Sequence, residues 1–221
     1  KVIQLSYGAN PGADIMADRV IQDASGLMFD IHGRSLLGSP WGMKVSTPLV
    51  GSYNISNCLA AVAACSGALS IDPVIAQGAL KNVRKVPGRM EFIDMGQDFL
   101  AVVDFAHTPN ALRSALLAAR PLVKGRLIAV FGSAGLRDKE KRRMMAEIST
   151  EYADISVLTA EDPRTEPLVA ILEEMATGAN SRGGVEGKTY FRIHDRGEAI
   201  RFATDIARRD DIVLVCGKEH E

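Results

Sequence analysis

From about residue 99 onward the apolar residues come in continuous runs: FLAVVDF (99 to 105), RLIAVFG (126 to 132), DISVLTA (154 to 160), TYFRIH (189 to 194) and DIVLVCG (211 to 217). Stretches near 110 to 119, 139 to 150, 167 to 177 and 196 to 208 separate them, with apolar residues at three- and four-residue spacing that predicts helices. Continuous rather than alternating strands, each followed by a helix, predict a mainly parallel α/β sheet covered on both faces. Upstream the rhythm differs. KVIQLSYG, GLMFDIHG and GMKVSTPLVG are short and only half apolar, separated by turns and a stretch rich in Asp and Ala, so antiparallel pairing is expected there. Asn54 to Leu69 predicts a helix whose small face (Ala60, Ala61, Ala63, Ala64) permits close packing. Asp72-Pro73 predicts an N-cap and first-turn proline for a second helix ending near Val83. The Pro-Gly turn inside RKVPGRMEF marks the expected boundary, giving domains over 1–86 and 87–221.

Charge and composition narrow the class. Lys plus Arg (26) nearly balances Asp plus Glu (27), and no basic stripe is evident, which argues against a nucleic-acid binder. No apolar stretch reaches the length of a membrane span, so no membrane insertion is expected. The three cysteines, Cys58, Cys65 and Cys216, form no CxxC pair and leave one over in any disulfide scheme, which fits a reducing, cytoplasmic setting. The first residues already lie in an apolar alternation (Val2, Ile3, Leu5) without an initiating Met, as in a fragment of a longer chain.

Chemistry collects where such a sheet binds ligands, at the carboxyl ends of its strands. The runs lead into Asp104, His107 and Thr108, into GSAGLRD with Arg137 and Asp138, into EDPRTEP with Glu161, Asp162 and Arg164, and into GKEHE with Gly217, Glu219 and Glu221. Each residue alone has an ordinary structural reading: Asp104 as a turn cap, His107 as a donor beside a helix start, the arginines as surface charge. Together, planar guanidinium forks suited to carboxylates and carboxylates suited to an ammonium predict a site for a zwitterion. The histidines lack any paired metal-ligand spacing, so no protein metal site and no zinc are expected. Neither a Walker A loop nor GxGxxG occurs.

NISNCLAA, PGRME, VVDFAHTPNAL, VFGSAGLRDKEKR, TAEDPRTEP, HDRGEAI and VCGKEHE, in this order, resemble the Mur ligase family, and within it the branch that adds the third amino acid to the muramoyl dipeptide. The resemblance implies a Rossmann-like C-terminal domain preceded by part of the central ATPase domain. It implies a cytoplasmic ATP-dependent amide ligase of peptidoglycan precursor synthesis, monomeric, using ATP and Mg2+, with a UDP-muramoyl dipeptide and a diamino acid as substrates. On the matching positions it implies nucleotide contacts from Asn54, Asn57, Arg89, Asp104 and His107. It implies amino-acid contacts from Arg137, Glu161, Asp162, Arg164, Gly217 and Glu221, with no side-chain nucleophile. The family's first domain, P-loop and carbamylated lysine have no counterpart here, so the 221 residues alone are expected to be inactive.

One loop departs from the pattern. The enzymes using diaminopimelate usually read Asp-Asn-Pro-Arg where this chain has Glu161, Asp162, Pro163 and Arg164, and Leu136 stands where an acidic residue is common. Arg164 still favours an acceptor with a distal carboxylate. The competing readings are a related ligase, such as folylpolyglutamate or cyanophycin synthetase, a non-catalytic binding module, and a dinucleotide oxidoreductase. The last is disfavoured by the missing glycine motif.

Overall fold

The computed structural model describes residues 4–34, 40–83 and 86–217. The chain divides into two compact units, Lys1–Lys85 and Val86–Glu221.

The first unit is built on a four-stranded sheet in the order β1 (Tyr7–Gly8), β2 (Ile15–Asp23), β3 (Gly26–Arg34), β4 (Pro40–Thr47). The expected antiparallel pairing holds for β2 with β3 and β3 with β4, while the two-residue β1 pairs parallel to β2. Strand β2 occupies the stretch read above as a connection. Its alternation is clean only through Ile15 and Ala17. The register then shifts between Asp18 and Ile21, with Arg19 left-handed at φ 50°, so Val20 and Ile21 both end up exposed and the period of two is lost.

Ile15, Leu27, Phe29, Ile31 and Val45 form one face of this sheet and pack against α1 (Tyr53–Ala63) and α2 (Pro73–Lys81). The α-helix predicted to Leu69 ends at Ala63 and continues as a wider π-turn over Ala64–Ala68. Its buried stripe is Asn54, Cys58, Leu59, Val62 and Ala63. Ala61 and Ala64 are exposed, contrary to the packing role expected of them, because the bulkier Leu59 and Val62 bury more apolar surface. Asp72 caps α2 as predicted, its carboxylate accepting from the Val74 amide at 2.9 Å.

The second unit carries a six-stranded sheet in the order β5-β6-β10-β7-β8-β9. Its strands are β5 (Glu91–Ile93), β6 (Leu100–Asp104), β7 (Leu127–Phe131), β8 (Ile155–Leu158), β9 (Tyr190–Arg192) and β10 (Ile212–Cys216). The five predicted runs pair parallel throughout, and the short β5 adds an antiparallel edge. Helices α3 (Pro109–Ala119), α4 (Glu140–Tyr152) and α5 (Leu168–Ser181) connect the strands from β6 to β9. Helix α6 (Arg196–Ile206) returns the chain from β9 to β10, so right-handed crossovers put it on the opposite face from the other three. There Ala199 and Ala203 pack on Ile128, Val130, Val157 and Val213. Strand β10 is thus threaded between β6 and β7, which brings Gly217 to the middle of the carboxyl edge.

The amino-terminal edge of this sheet is fixed by two carboxylates. Asp211 accepts from the Arg126 amide at 2.6 Å and its guanidinium at 2.6 and 3.1 Å, and from the Arg208 amide at 2.9 Å. Asp154 accepts from Arg120 at 2.6 Å and from the Leu127 amide at 2.8 Å. No described helix is long and apolar enough to cross a membrane. Cys58 and Cys216 are buried and Cys65 half-buried, all unpaired.

Candidate functional site

Because β6, β10, β7 and β8 run in one direction, the loops that follow them share an edge. The loops after β7 and β8 abut. The Gly135 amide donates to the Asp162 carbonyl at 2.7 Å, and a Cβ at Gly135 would run into the Pro163 carbonyl oxygen, so only glycine permits this approach. Arg137 therefore follows directly on the contact from one side, and Arg164 from the other. Both guanidinium-bearing loops pass through left-handed residues, Leu136 at φ 53° and Arg164 at φ 52°. Such a conformation costs an ordinary L-residue about 1–2 kcal/mol, and it persists where the surroundings over-determine it.

Arg137 is exposed and has no side-chain partner among the described residues. Arg164 is held back on its own loop: Asp162 accepts from its amide at 3.3 Å and its Nε at 3.4 Å. Glu161 lies on the inner side of the same loop. Its Cγ and Cδ would be 3.9 Å from a Cβ at Gly217, the residue at the end of β10, which adopts φ 104° and donates its amide to the Asp104 carbonyl at 3.1 Å. Glu161 Oε2, Ser133 Oγ and Thr159 Oγ1 are buried without hydrogen-bond partners among the described residues. Together these residues place polar atoms with unused hydrogen-bonding capacity at the ends of β7 and β8. Glu221, the remaining residue expected at the amino acid, lies outside the described residues, as do Glu219 and His220.

The residues expected at the nucleotide fall in both units. In the first, buried Asn54 donates its amide to the Val50 carbonyl at 2.8 Å and accepts from the Asn57 amide at 3.0 Å, which leaves Asn57 as the exposed member of the pair. In the second, Asp104 behaves as the turn cap that its position allowed. Its two oxygens accept from the amides of Met90 and Ala106, each at 2.9 Å, tying the PGRME turn to the end of β6. Arg89 lies over the Phe105 ring at 4.6 Å, and His107 meets the same ring edge-on at 4.7 Å while its Nδ1 contacts the Phe105 carbonyl at 3.0 Å. Arg89, Phe105 and His107 thus form one cluster beside Asp104, with Arg89 an exposed cation suited to phosphate.

Among the described residues, one group of three potential metal ligands lies close enough to share an ion, Asp18, Asp30 and His32 on β2 and β3, and none of them is an expected site residue. There the Arg19 guanidinium already pairs with Asp30 at 2.9 Å.

Three residues unpredicted by sequence organise this edge. Arg196 opens α6 and reaches across two strand ends, donating to the carbonyls of Ala160 at 3.3 Å and Cys216 at 2.8 Å. Burial lowers its pKa, with the nearby Glu161 carboxylate opposing the shift. Arg142, fully buried, forks onto Glu166 at 2.7 and 2.6 Å and contacts Glu174 at 3.0 Å. Glu166 also accepts from the Leu136 amide at 2.9 Å. The Arg142 guanidinium and the Leu136 amide hold the Glu166 carboxyl down to about 2. The groups facing it are Arg142, Lys139 and, across Arg142, Glu174. A depressed carboxyl stabilises the folded state fully above its unfolded value near 4.5 and loses that contribution as pH falls toward about 2. The melting-temperature difference between the wild type and Glu166→Gln is therefore expected to be constant from pH 7 to 5 and to shrink steadily as pH approaches 2.

Comparison with known proteins agrees with this architecture. Residues 88–219 match the Mur ligase glutamate ligase domain. A UDP-N-acetylmuramoyl-L-alanyl-D-glutamate–2,6-diaminopimelate ligase from Geobacillus kaustophilus is 39% identical over 221 residues, covering 98% of this chain and 42% of the relative. A UDP-N-acetylmuramyl-tripeptide synthetase from Roseiflexus is 42% identical over 220 residues, covering 99% of this chain and 42% of that protein. A solved structure of a 2,6-diaminopimelate ligase superposes with a TM-score of 0.63 at 33% identity, covering 98% of this chain and 42% of that one. The chain spans about 42% of the length of these relatives, and with more than half of its residues in the matched domain it belongs to the Mur ligase family.

Proposed function

We propose that this chain is the later part of an ATP-dependent ligase that joins a diamino acid, meso-diaminopimelate in our reading, to the glutamyl carboxylate of a UDP-muramoyl dipeptide in the cytoplasm. Residues 1–86 then belong to the central nucleotide-binding domain and 87–221 to the domain that receives the amino acid. The observation that carries this reading is the abutment of the Arg137 and Arg164 loops, with Glu161 between them and Gly217. Two guanidinium groups beside a carboxylate match an acceptor that carries carboxylates and an ammonium.

Carboxylate and ammonium do not condense at useful rates in water, so the carboxylate must first be activated. In the proposed reaction the dipeptide carboxylate attacks the γ-phosphate of ATP, giving an acyl phosphate and ADP. The neutral amine of the acceptor attacks the acyl carbon, and the C–O bond to phosphate breaks, releasing inorganic phosphate. The contribution of this chain is positioning. Arg137 and Arg164 hold the acceptor carboxylates, while Glu161, Asp162, Gly217 and Glu221 bound its amino end. Asn54 and Asn57 serve the adenine side, and Arg89, Asp104 and His107 the phosphate and ribose side. Magnesium would neutralise charge on the ATP phosphates during transfer, and what is assigned to this chain's own residues is binding and orientation.

The test is phosphate release by the full-length protein with ATP, UDP-muramoyl dipeptide and amino acids offered singly. Release that requires all three substrates and is greatest with meso-diaminopimelate supports the reading. Hydrolysis of ATP indifferent to the amino acid rejects it.

A further inference from the structure

The buried Arg142–Glu166 pair touches none of the positions proposed to hold substrate, yet it connects both loops that carry them. Arg142 rises from the first turn of α4, its side chain wholly enclosed. Its two terminal nitrogens take both oxygens of Glu166, a third bond goes to Glu174, and Nη2 lies 3.4 Å from the Ala134 carbonyl. Its Nε is buried with no hydrogen-bond partner among the described residues. Glu166 belongs to the loop after β8, and through the Leu136 amide it grips the loop after β7. Its own amide donates to the Pro163 carbonyl at 3.0 Å, closing the turn that contains Arg164. Glu166 thus fixes the left-handed Leu136 that precedes Arg137 through its carboxylate, and closes the turn that presents Arg164 through its own amide.

Stability alone is a weak reason to bury this arginine. An apolar side chain of similar volume fills such a space as well or better, whereas a forked ion pair imposes a unique geometry on whatever it connects. Guanidinium and carboxylate planes also permit one mutual register, which a lysine or an amide would not enforce.

We infer that Arg142 and Glu166 are positioning residues, a clamp that sets the spacing of Arg137 and Arg164 and so determines the affinity for the acceptor amino acid. The inference deepens the proposed ligase reading and rests on it for the identity of the ligand. Arg142→Lys keeps the charge and loses the fork, Glu166→Gln keeps the shape and loses the charge, and Arg142→Met fills the space if the lysine variant fails to fold.

In the full-length enzyme each variant is expected to raise the KM for meso-diaminopimelate by roughly tenfold to a hundredfold, with the KM for ATP essentially unchanged. In the 221-residue chain, hydrogen exchange is expected to accelerate over residues 133–138 and 161–166 while β7 and β10 keep wild-type protection. An equal rise in both KM values would reduce the pair to a general structural role and overturn the inference. So would wild-type exchange in the two loops, or faster exchange with an unchanged acceptor KM. A wild-type enzyme without acceptor-dependent phosphate release would instead refute the ligase reading, and the exchange experiment would still decide whether the clamp exists.

Discussion

Arg164→Ala in the full-length protein is expected to raise the KM for the acceptor amino acid by roughly ten- to a hundredfold, while the KM for ATP stays within about twofold. The magnitude follows from losing a charged hydrogen-bond donor to a carboxylate, about 1.5–3 kcal/mol, at a tenfold change per 1.4 kcal/mol. The split follows from position. Arg164 stands on the loop after β8, against the Gly135 turn, whereas the Arg89, Phe105 and His107 cluster stands at the end of β6. Strand β10 separates β6 from β7, and β8 lies beyond β7, so the two sets are three strands apart on one edge. Steady-state kinetics with each substrate varied reads this directly, and equal changes in both KM values would deny Arg164 its role. Asp162 accepts from the Arg164 Nε at 3.4 Å, and a guanidinium carries four further N–H donors for an acceptor carboxylate.

Asp211→Ala is expected to destabilise the second unit by about 2–4 kcal/mol, chiefly because the Arg126 and Arg208 amides lose their acceptor. Asp211 is 2% exposed and satisfies two backbone amides besides the Arg126 guanidinium. Burial alone would raise its carboxyl pKa, but the bonds from Arg126 and the Arg126 and Arg208 amides outweigh it and the net shift is downward. The carboxylate therefore stabilises the fold above its unfolded value, and the difference between wild type and variant narrows as the pH falls through the folded one. Asp211 precedes β10, at the end of the sheet opposite the substrate loops, so KM values measured well below the unfolding transition should not move. Denaturant unfolding at pH 7 and pH 3 gives both readings. A stability loss below about 1 kcal/mol would show that the Arg126 pair is a surface interaction.

These two residues also mark what sequence can and cannot reveal. The parallel sheet was legible because runs such as Leu127–Phe131 are buried on both faces and therefore apolar at every position. That the polar loops after these runs share one edge was legible for the same reason, since parallel strands all end on the same side. Strand β2 was not, because the irregularity at Asp18 to Ile21 turns consecutive side chains outward and erases the alternation that a sequence pattern relies on. Strand β5 has three residues and borrows its stability from β6, so it has no pattern of its own.

Arg142 was hidden more deeply. It lies in DKEKRR, a run with every appearance of a solvated helix face, and only the folded chain shows that this one side chain turns inward to Glu166. Asp104 illustrates the opposite case. Its position at a strand end suggested both a cap and a ribose contact, and the folded chain uses both of its oxygens for backbone amides.

The central claim is that the abutting Arg137 and Arg164 loops select an acceptor bearing a distal carboxylate. It is tested most directly by offering the full-length protein equal concentrations of meso-diaminopimelate and lysine with ATP and UDP-muramoyl dipeptide, and weighing the product by mass spectrometry. The account predicts that the diaminopimelate adduct dominates in the wild type and loses its advantage in Arg164→Ala. A wild-type product made chiefly of the lysine adduct would contradict it.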